Sequence, residues 1–455
     1  MRSLFQYFNR RKPTTKYVLS LDGGGVRAIA ALVFLRRLEA ASGKKVFDIF
    51  DFFIGTSAGG INALNIGGLG MDSNELEEFW SQENLNKTMS KSFWGTGSFL
   101  QTKPKYDGIG KREVLIYTPP EYTDQTRVFE VVYVLDAQSR EFFDAVHTTI
   151  AFQNNGLRPM MVVGIVSTFR NIDFLPKNIH PETVQEQYGE LGGADTFSDF
   201  IENTVMPYIE ENYRTIPTKI GIGHSNGGTF MNYSMLKKPD LFDVIFSIDA
   251  NFNYDKGQLV DFIENQSEIK NSVDFYYTCQ TSNSDLWIEN AKRFNDFLQK
   301  STDMKIIQEI FESETHATVY QQGILNAFKT YFDYQFFNSQ NLIQYLKAFK
   351  NDGIYVVSKD ELLRMAVVFK NIGKIDDAKN LLLSFQDKLT GEIEGYDIYA
   401  LFDTADLYFS LGINELSKKY YLYCDQVLEE KKNKYGIEKY NMGKRIISEK
   451  LELMK

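Results

Sequence analysis

Two stretches of the chain read Gly-x-Ser-x-Gly directly after an apolar run: FIGTSAGG, which holds Ser57, and GIGHSNGG, which holds Ser225. Glycines two residues before and after a serine let a strand turn sharply into a helix and present the hydroxyl at the turn. A serine so placed needs a base for its proton, an acid to orient that base, and N–H donors for the oxyanion. Only four histidines are available as bases, and only one, His316 in FESETHATVYQQ, follows Ser225. It falls between an expected last strand and last helix, where the order serine, acid, histidine puts the base. The same order places the acid after the strand VDFYYTC, in QTSNSDLWIEN, with Asp285 first and Glu289 second. A Ser–His pair without a strong acid is the remaining option. The oxyanion donors expected are the N–H of Asn226, which follows the serine, and that of Ala137 or Gln138 at the end of VVYVLDAQS. Arg170 in STFRNIDFLP leaves another strand end. It is read either as a holder of a substrate carboxylate or phenolate, or as a partner of Asp173.

These residues need a scaffold, and three segments can be read. In the first, about 14–105, KYVLSL reads as a buried strand, and DGGGVRAIAALVFLRRLEAA as a glycine turn opening an apolar helix. FDIFDFFIG then leads into the Ser57 elbow. In the second, about 111–335, the strands FEVVYVLDA, PMMVVGIVST, TKIGIGH, DVIFSID, VDFYYTCQ and KIIQEIFE alternate with amphipathic helices. That alternation predicts a doubly wound, mostly parallel sheet. The third, about 340–455, reads as all-helical. SKDELLRMAVVFKNIG opens with a capping box from Ser358 to Glu361. FKNIGKIDDAKNLL and YFSLGINELSKKYY align in turn, small residue and apolar positions, which predicts repeated helical hairpins.

Composition narrows the function classes. The chain has 455 residues, a net charge of -10 and 24% charged residues. It is globular in composition and too acidic for a nucleic-acid partner. Its two cysteines, Cys279 and Cys424, lie far apart and carry no zinc or disulfide spacing. No metal or organic cofactor is called for. The basic start MRSLFQYFNRRKPTTKYVL has no secretory apolar region, and no run reaches the ~18 residues of a spanning helix. A cytoplasmic location is the expectation.

Two resemblances become specific on these residues. REVLIYTPPEY, VVYVLD, VVGIVSTFRNIDFLP, GGADTFSDFIENTVMPYIEENYRT, IGIGHSNGG and ETH together resemble the α/β-hydrolase esterases that include esterase D-like enzymes and enterochelin esterases. The resemblance covers about 111–335 and implies Ser225 as nucleophile and His316 as base. SLDGGGVRAIAALVFLRRLE followed by FDFFIGTSAGGINAL resembles the patatin-like phospholipases. It implies Gly23, Gly24, Gly25 and Arg27 as an oxyanion loop and Ser57 as nucleophile. Consecutive glycine N–H groups at a helix start do form an anion cradle. Patatin-like enzymes pair their serine with an Asp in a later Asp-Gly-Gly or Asp-Gly-Ala stretch. After Ser57 no such stretch has the right context, and the resemblance fades near residue 105. The helical hairpins resemble tetratricopeptide repeats.

The expectation is an α/β-hydrolase with a doubly wound, mostly parallel sheet over 107–338. A partial patatin-like α/β segment over 1–106 precedes it, and a helical repeat region over 339–455 follows, as in a fusion. Half a patatin-like domain should leave apolar faces uncovered. The leading reading is a serine esterase acting on a small-molecule or lipid ester through Ser225 and His316. One alternative is a lipid acyl hydrolase using Ser57. The other is an interaction protein that binds a protein partner through its helical repeats.

Overall fold

The computed structural model describes residues 16–21, 30–55, 57–80, 98–102, 112–152, 158–180, 191–266, 269–270, 272–282, 285–349, 354–390 and 398–454. The chain forms two compact units, Met1–Thr96 and Gly97–Lys455.

In the first unit β1 (Val18–Leu21) pairs in parallel with β2 (Phe52–Gly55), Val18 opposite Phe52 and Ser20 opposite Ile54. Its described helices are α1 (Ala30–Ser42), α2 (Val46–Ile49), α3 (Ser57–Leu69) and α4 (Ser73–Phe79). Leu19, Leu21, Leu35, Ile66 and Leu76 form its core. Val18, Phe52 and Ile54 lie on the other face of the strand pair. Among the described residues these apolar side chains are each about half exposed.

The second unit is built on eight strands in the order β10-β9-β8-β7-β5-β6-β4-β3. These are β3 (Ser98–Thr102), β4 (Val114–Thr118), β5 (Phe129–Val134), β6 (Met161–Ile165), β7 (Thr215–His224), β8 (Val244–Ile248), β9 (Phe275–Thr281) and β10 (Lys305–Phe311). Pairing is parallel from β10 to β6 and antiparallel at β4 and β3. The sheet therefore begins with Ser98, inside the stretch assigned by sequence to the first segment. The reason is the ladder that Ser98–Thr102 makes with Val114–Thr118.

Strands β5, β6, β8 and β9 are buried at every position, as their near-continuous apolar runs require of a sheet covered on both faces. Alternation sorts the side chains. Val131, Tyr133, Ile245 and Tyr276 face one core, and Val132, Val134, Phe246 and Tyr277 face the other. The second core is closed by α5 (Arg140–Phe152) and α12 (Val319–Phe337). The first is closed by α7 (Ala194–Phe200), a π-turn over Ile201–Val205, α8 (Met206–Asn212), α9 (Asn226–Lys237), α10 (Gln258–Glu264) and α11 (Asp285–Ser301). The short α6 (Arg170–Phe174) follows β6.

The chain continues as α13 (Ser339–Ala348), α14 (Lys359–Asn371), α15 (Ile375–Ser384), α16 (Gln386–Thr390), α17 (Ile398–Ser410), α18 (Asn414–Glu430) and α19 (Lys432–Leu453), the last kinked at Gly436. The Ser358–Glu361 capping box forms as read. Two of the turns between these helices share a geometry. At the first, Gly373 has φ 82° and Lys374 N–H donates to Phe369 O. At the second, Gly412 has φ 70° and Ile413 N–H donates to Tyr408 O. These helices share one core with Ile216 and Phe336 of the sheet unit. The buried Arg127 donates twice to the buried Glu361, at 3.0 and 2.7 Å, and once to Val356 O. The helical region is docked on the sheet and is not a free arm.

Candidate active site

Strand β7 enters the second elbow as Gly221–Ile222–Gly223–His224, and α9 leaves it at Asn226. Between them Ser225 is held at φ 57° and ψ -121°, a region costly to a residue with a side chain. Surroundings fix it there. Its N–H donates to Ile248 O at 3.0 Å, and its carbonyl accepts from Thr229 and Asn251 N–H. The glycines are required by space. A Cβ on Gly223 would sit 2.2 Å from the carbonyl oxygen of Gly227, and one on Gly228 2.9 Å from Ala250 Cβ.

His316 follows β10 in the loop before α12, and its Nε2 lies 3.0 Å from Ser225 Oγ. Its Nδ1 lies 2.7 Å from Oδ2 of Asp249. A carboxylate only accepts, so Nδ1 carries the ring proton and Nε2 is left to accept the Ser225 hydroxyl. The His316 side chain is 42% exposed and that of Asp249 is 0% exposed. The imidazole is open to solvent while the carboxylate it meets is buried.

Asp249 corrects the sequence reading, which put the acid at Asp285 or Glu289. It ends β8 rather than β9, at φ 45°. Its carboxylate also accepts from Thr281 N–H at 2.9 Å and Thr281 Oγ1 at 3.1 Å. Asp285 opens α11, with its side chain outside the described ones, and Glu289 is exposed on that helix. Both come after the β9 end that Asp249 has already bridged through Thr281.

On the oxyanion side, Asn226 opens α9, where its N–H has no partner inside the helix. Its side chain is tied at both ends, donating to Asn171 at 3.0 Å and accepting from Asn251 at 3.1 Å. Ala137 drops out as a donor because its N–H is already given to Ile165 O. Gln138 stays at the edge of the site. It donates to Asp136 Oδ1 at 2.8 Å and accepts Ser167 N–H at 2.9 Å. Arg170 does not pair with Asp173. It donates to both oxygens of Asp136, at 2.8 and 3.0 Å, while Asp173 is taken by Arg112. Asp136 is buried at φ 62°, next to the start of α9, so Arg170 offsets a buried carboxylate beside the elbow.

Sequence reasoning also passed over His224. Its Nε2 lies 2.9 Å from His316 O, and burial lowers its imidazole to about 4. The motif itself, with a histidine directly before the serine, was the available signal.

The first elbow is only partly described. Gly55 and Gly59 approach as Gly223 and Gly227 do, a Cβ on Gly55 meeting Gly59 O at 2.2 Å. The backbone of Ser57 opens α3, its side chain lies outside the described ones, and Gly23, Gly24, Gly25 and Arg27 lie outside the described residues.

A strained serine on a strand-to-helix turn, a histidine on its hydroxyl and a buried carboxylate behind that histidine define the site of a serine hydrolase on a mostly parallel α/β sheet. Comparison with known proteins agrees at the level of family. The family model described as "Putative esterase" matches residues 109–337, half of the chain, and the protein belongs to that family. The model described as patatin-like phospholipase matches residues 19–170. Its N-terminal region is patatin-like, and the likeness runs past residue 105, where sequence reading ended it. In the structure β4, β5 and β6 of that overlap are strands of the esterase sheet.

"Uncharacterized protein YbbA" of Bacillus subtilis is 29% identical over 150 residues, 32% of this chain and 59% of that protein. "Ferri-bacillibactin esterase BesA" of the same organism is 30% identical over 145 residues, 28% of this chain and 50% of that protein. Human "Calcium-independent phospholipase A2-gamma" is 41% identical over 90 residues, 20% of this chain and 12% of that protein. The chain thus matches 59% of the length of YbbA, 50% of that of BesA and a small part of the phospholipase. An IroE-like serine hydrolase from Shewanella oneidensis shares the fold, with TM-score 0.52 and 21% identity, over 64% of this chain and 99% of that structure. Among the described residues no helix is long and apolar enough to cross a membrane.

Proposed function

We propose that the protein hydrolyses carboxylic esters through an acyl-enzyme on Ser225. The observation that carries this is the continuous line from Ser225 Oγ through the His316 ring to the buried Asp249 carboxylate. As Ser225 Oγ attacks the ester carbon, its proton passes to His316 Nε2. Asp249 holds the ring in the Nδ1–H tautomer and stabilises the imidazolium that forms. The N–H groups of Asn226 and Gln138 receive the oxyanion, while Asp136, Arg170 and the Gln138 side chain fix that edge of the site. The proton on His316 then goes to the departing alcohol oxygen. Water, deprotonated by the same nitrogen, releases the acid and restores Ser225.

BesA carries a siderophore in its name, which makes siderophore esters the substrate class to try beside short p-nitrophenyl esters. The test is fluorophosphonate labelling of the purified chain, with the modified serine mapped by peptide mass. Labelling of Ser225 that disappears in His316→Ala is the expected result. A second reading, lipid acyl hydrolysis through Ser57, is favoured by the matching glycine approach at the first elbow. Labelling at Ser57 that ignores His316→Ala would decide for it.

A further inference from the structure

His224 is adjacent to Ser225 in the chain, yet the hydrolytic steps above leave its ring without a task. The ring is buried, and its Nε2 lies 2.9 Å from the carbonyl oxygen of His316. A carbonyl only accepts, so this nitrogen carries the proton. The ring lies against that of His316, centroids 4.6 Å apart. Phe142 and Tyr320 enclose it, 5.5 and 5.6 Å away, and Tyr320 is itself tied to Phe142 O through its hydroxyl. A ring boxed in this way cannot swing to another partner.

His316 stands in a loop, and its side chain is 42% exposed. Asp249 holds its Nδ1 and Trp287 meets its ring edge-on at 5.5 Å, but both act on the side chain. His224 acts on the main chain. The ring of His316 reaches residue 225 while its carbonyl is held by residue 224, and those two residues share one rigid strand end. Any small shift of the elbow then carries nucleophile and base together.

We infer that His224 is a positioning residue whose Nε2–H clamps the His316 main chain and so keeps the base in register with Ser225. The inference rests on the reading of Ser225 and His316 as nucleophile and base. The clamp depends on a donor at one place, so the side chain can be exchanged for another that keeps that donor. Glutamine puts an amide N–H near the position of Nε2. Phenylalanine keeps the ring and removes the donor.

The experiment compares His224→Gln, His224→Phe and Ser225→Ala with the parent chain on p-nitrophenyl butyrate, reading kcat and KM separately and folding by thermal denaturation. Losing one hydrogen bond is worth roughly 10-fold and a 1 Å misplacement roughly 100-fold, so His224→Phe is expected to lose about 30-fold in kcat at nearly constant KM. His224→Gln is expected to recover most of that loss. The clamp is overturned if folded His224→Phe turns over like the parent, or if His224→Gln is as slow as His224→Phe. Should His224→Phe not fold, His224→Asn replaces it, since its shorter amide stops before the carbonyl. A kcat below that of His224→Gln sustains the clamp, and one equal or above overturns it. Full activity in Ser225→Ala would fault the hydrolase reading itself. An inactive Ser225→Ala beside an undisturbed His224→Phe would fault the clamp alone.

Discussion

Replacing Asp249 by asparagine changes one atom of the carboxylate and should nearly silence the site. The Asp249 side chain is wholly buried and accepts three hydrogen bonds: from His316 Nδ1 at 2.7 Å, Thr281 N–H at 2.9 Å and Thr281 Oγ1 at 3.1 Å. An amide has one oxygen to offer. The buried Thr281 N–H already donates to Oδ1, so the amide oxygen stays there, and the new NH2 group replaces Oδ2 and faces His316. His316 must then present a lone pair at Nδ1 and carry its proton on Nε2. That nitrogen faces Ser225 Oγ and can no longer accept from it. In serine proteases the same exchange of the triad acid costs about 10,000-fold in kcat. At ~1.36 kcal/mol per decade this is about 5.4 kcal/mol of lost transition-state stabilisation. A loss of roughly 1,000- to 10,000-fold in kcat is expected here, with folding retained by circular dichroism and KM little changed. The assay is p-nitrophenyl butyrate hydrolysis at neutral pH, with Asp285→Asn beside it and expected to match the parent. Folded Asp249→Asn within about 10-fold of the parent would refute the reasoning, as would an equal fall in Asp285→Asn.

Three other expectations follow from the geometry. Gly223→Ala would push a Cβ to 2.2 Å from Gly227 O, a backbone atom that cannot step aside. A destabilisation of at least about 3 kcal/mol in urea titration is expected, and a near-neutral result would contradict the elbow geometry. Glu361→Ala would strand the buried Arg127 cation, and an uncompensated buried charge costs about 3–5 kcal/mol. One cooperative transition shifted down is expected, whereas loss of the helices alone would show that they fold apart from the sheet. Burial lowers both His147 and His224 from the usual 6.5 to about 4. Below pH 6.5 the unfolded chain therefore takes up protons that the folded chain refuses. Each histidine takes away up to about 3 kcal/mol of stability as pH falls from 6.5 toward 4, after which its effect levels off. Melting temperature across that window should fall, less so in His147→Gln, and a flat profile would contradict the burial of both rings.

Much of this protein is local and is legible residue by residue. A Gly-x-Ser-x-Gly after an apolar run makes an elbow because glycine alone tolerates a 2.2 Å approach of a virtual Cβ to backbone. Both elbows, the parallel sheet, the Ser358–Glu361 box and the repeated glycine turns came from such short-range rules. Ser225 and His316 could be paired on paper because chain order through a doubly wound sheet leaves one histidine after the serine. The acid could not. Choosing Asp249 over Asp285 requires knowing which of two neighbouring strand ends brings its carboxylate under His316, and that is set by how the strands pack. For Arg170, the expected partner Asp173 is taken by Arg112, 61 residues away in the chain, and Asp136, which the sequence did not suggest, accepts instead. The β3 strand was missed because an edge strand is defined by its partner as much as by its own pattern. His224 shows the same division most plainly. Its place before the serine is written in the sequence, but its hydrogen bond to a carbonyl 92 residues later exists only once the sheet has brought β7 and the loop after β10 together at one end. Backbone sterics act between chain neighbours and can be read from residue types. Hydrogen bonds between side chains on different strands depend on distances that only the packed chain sets.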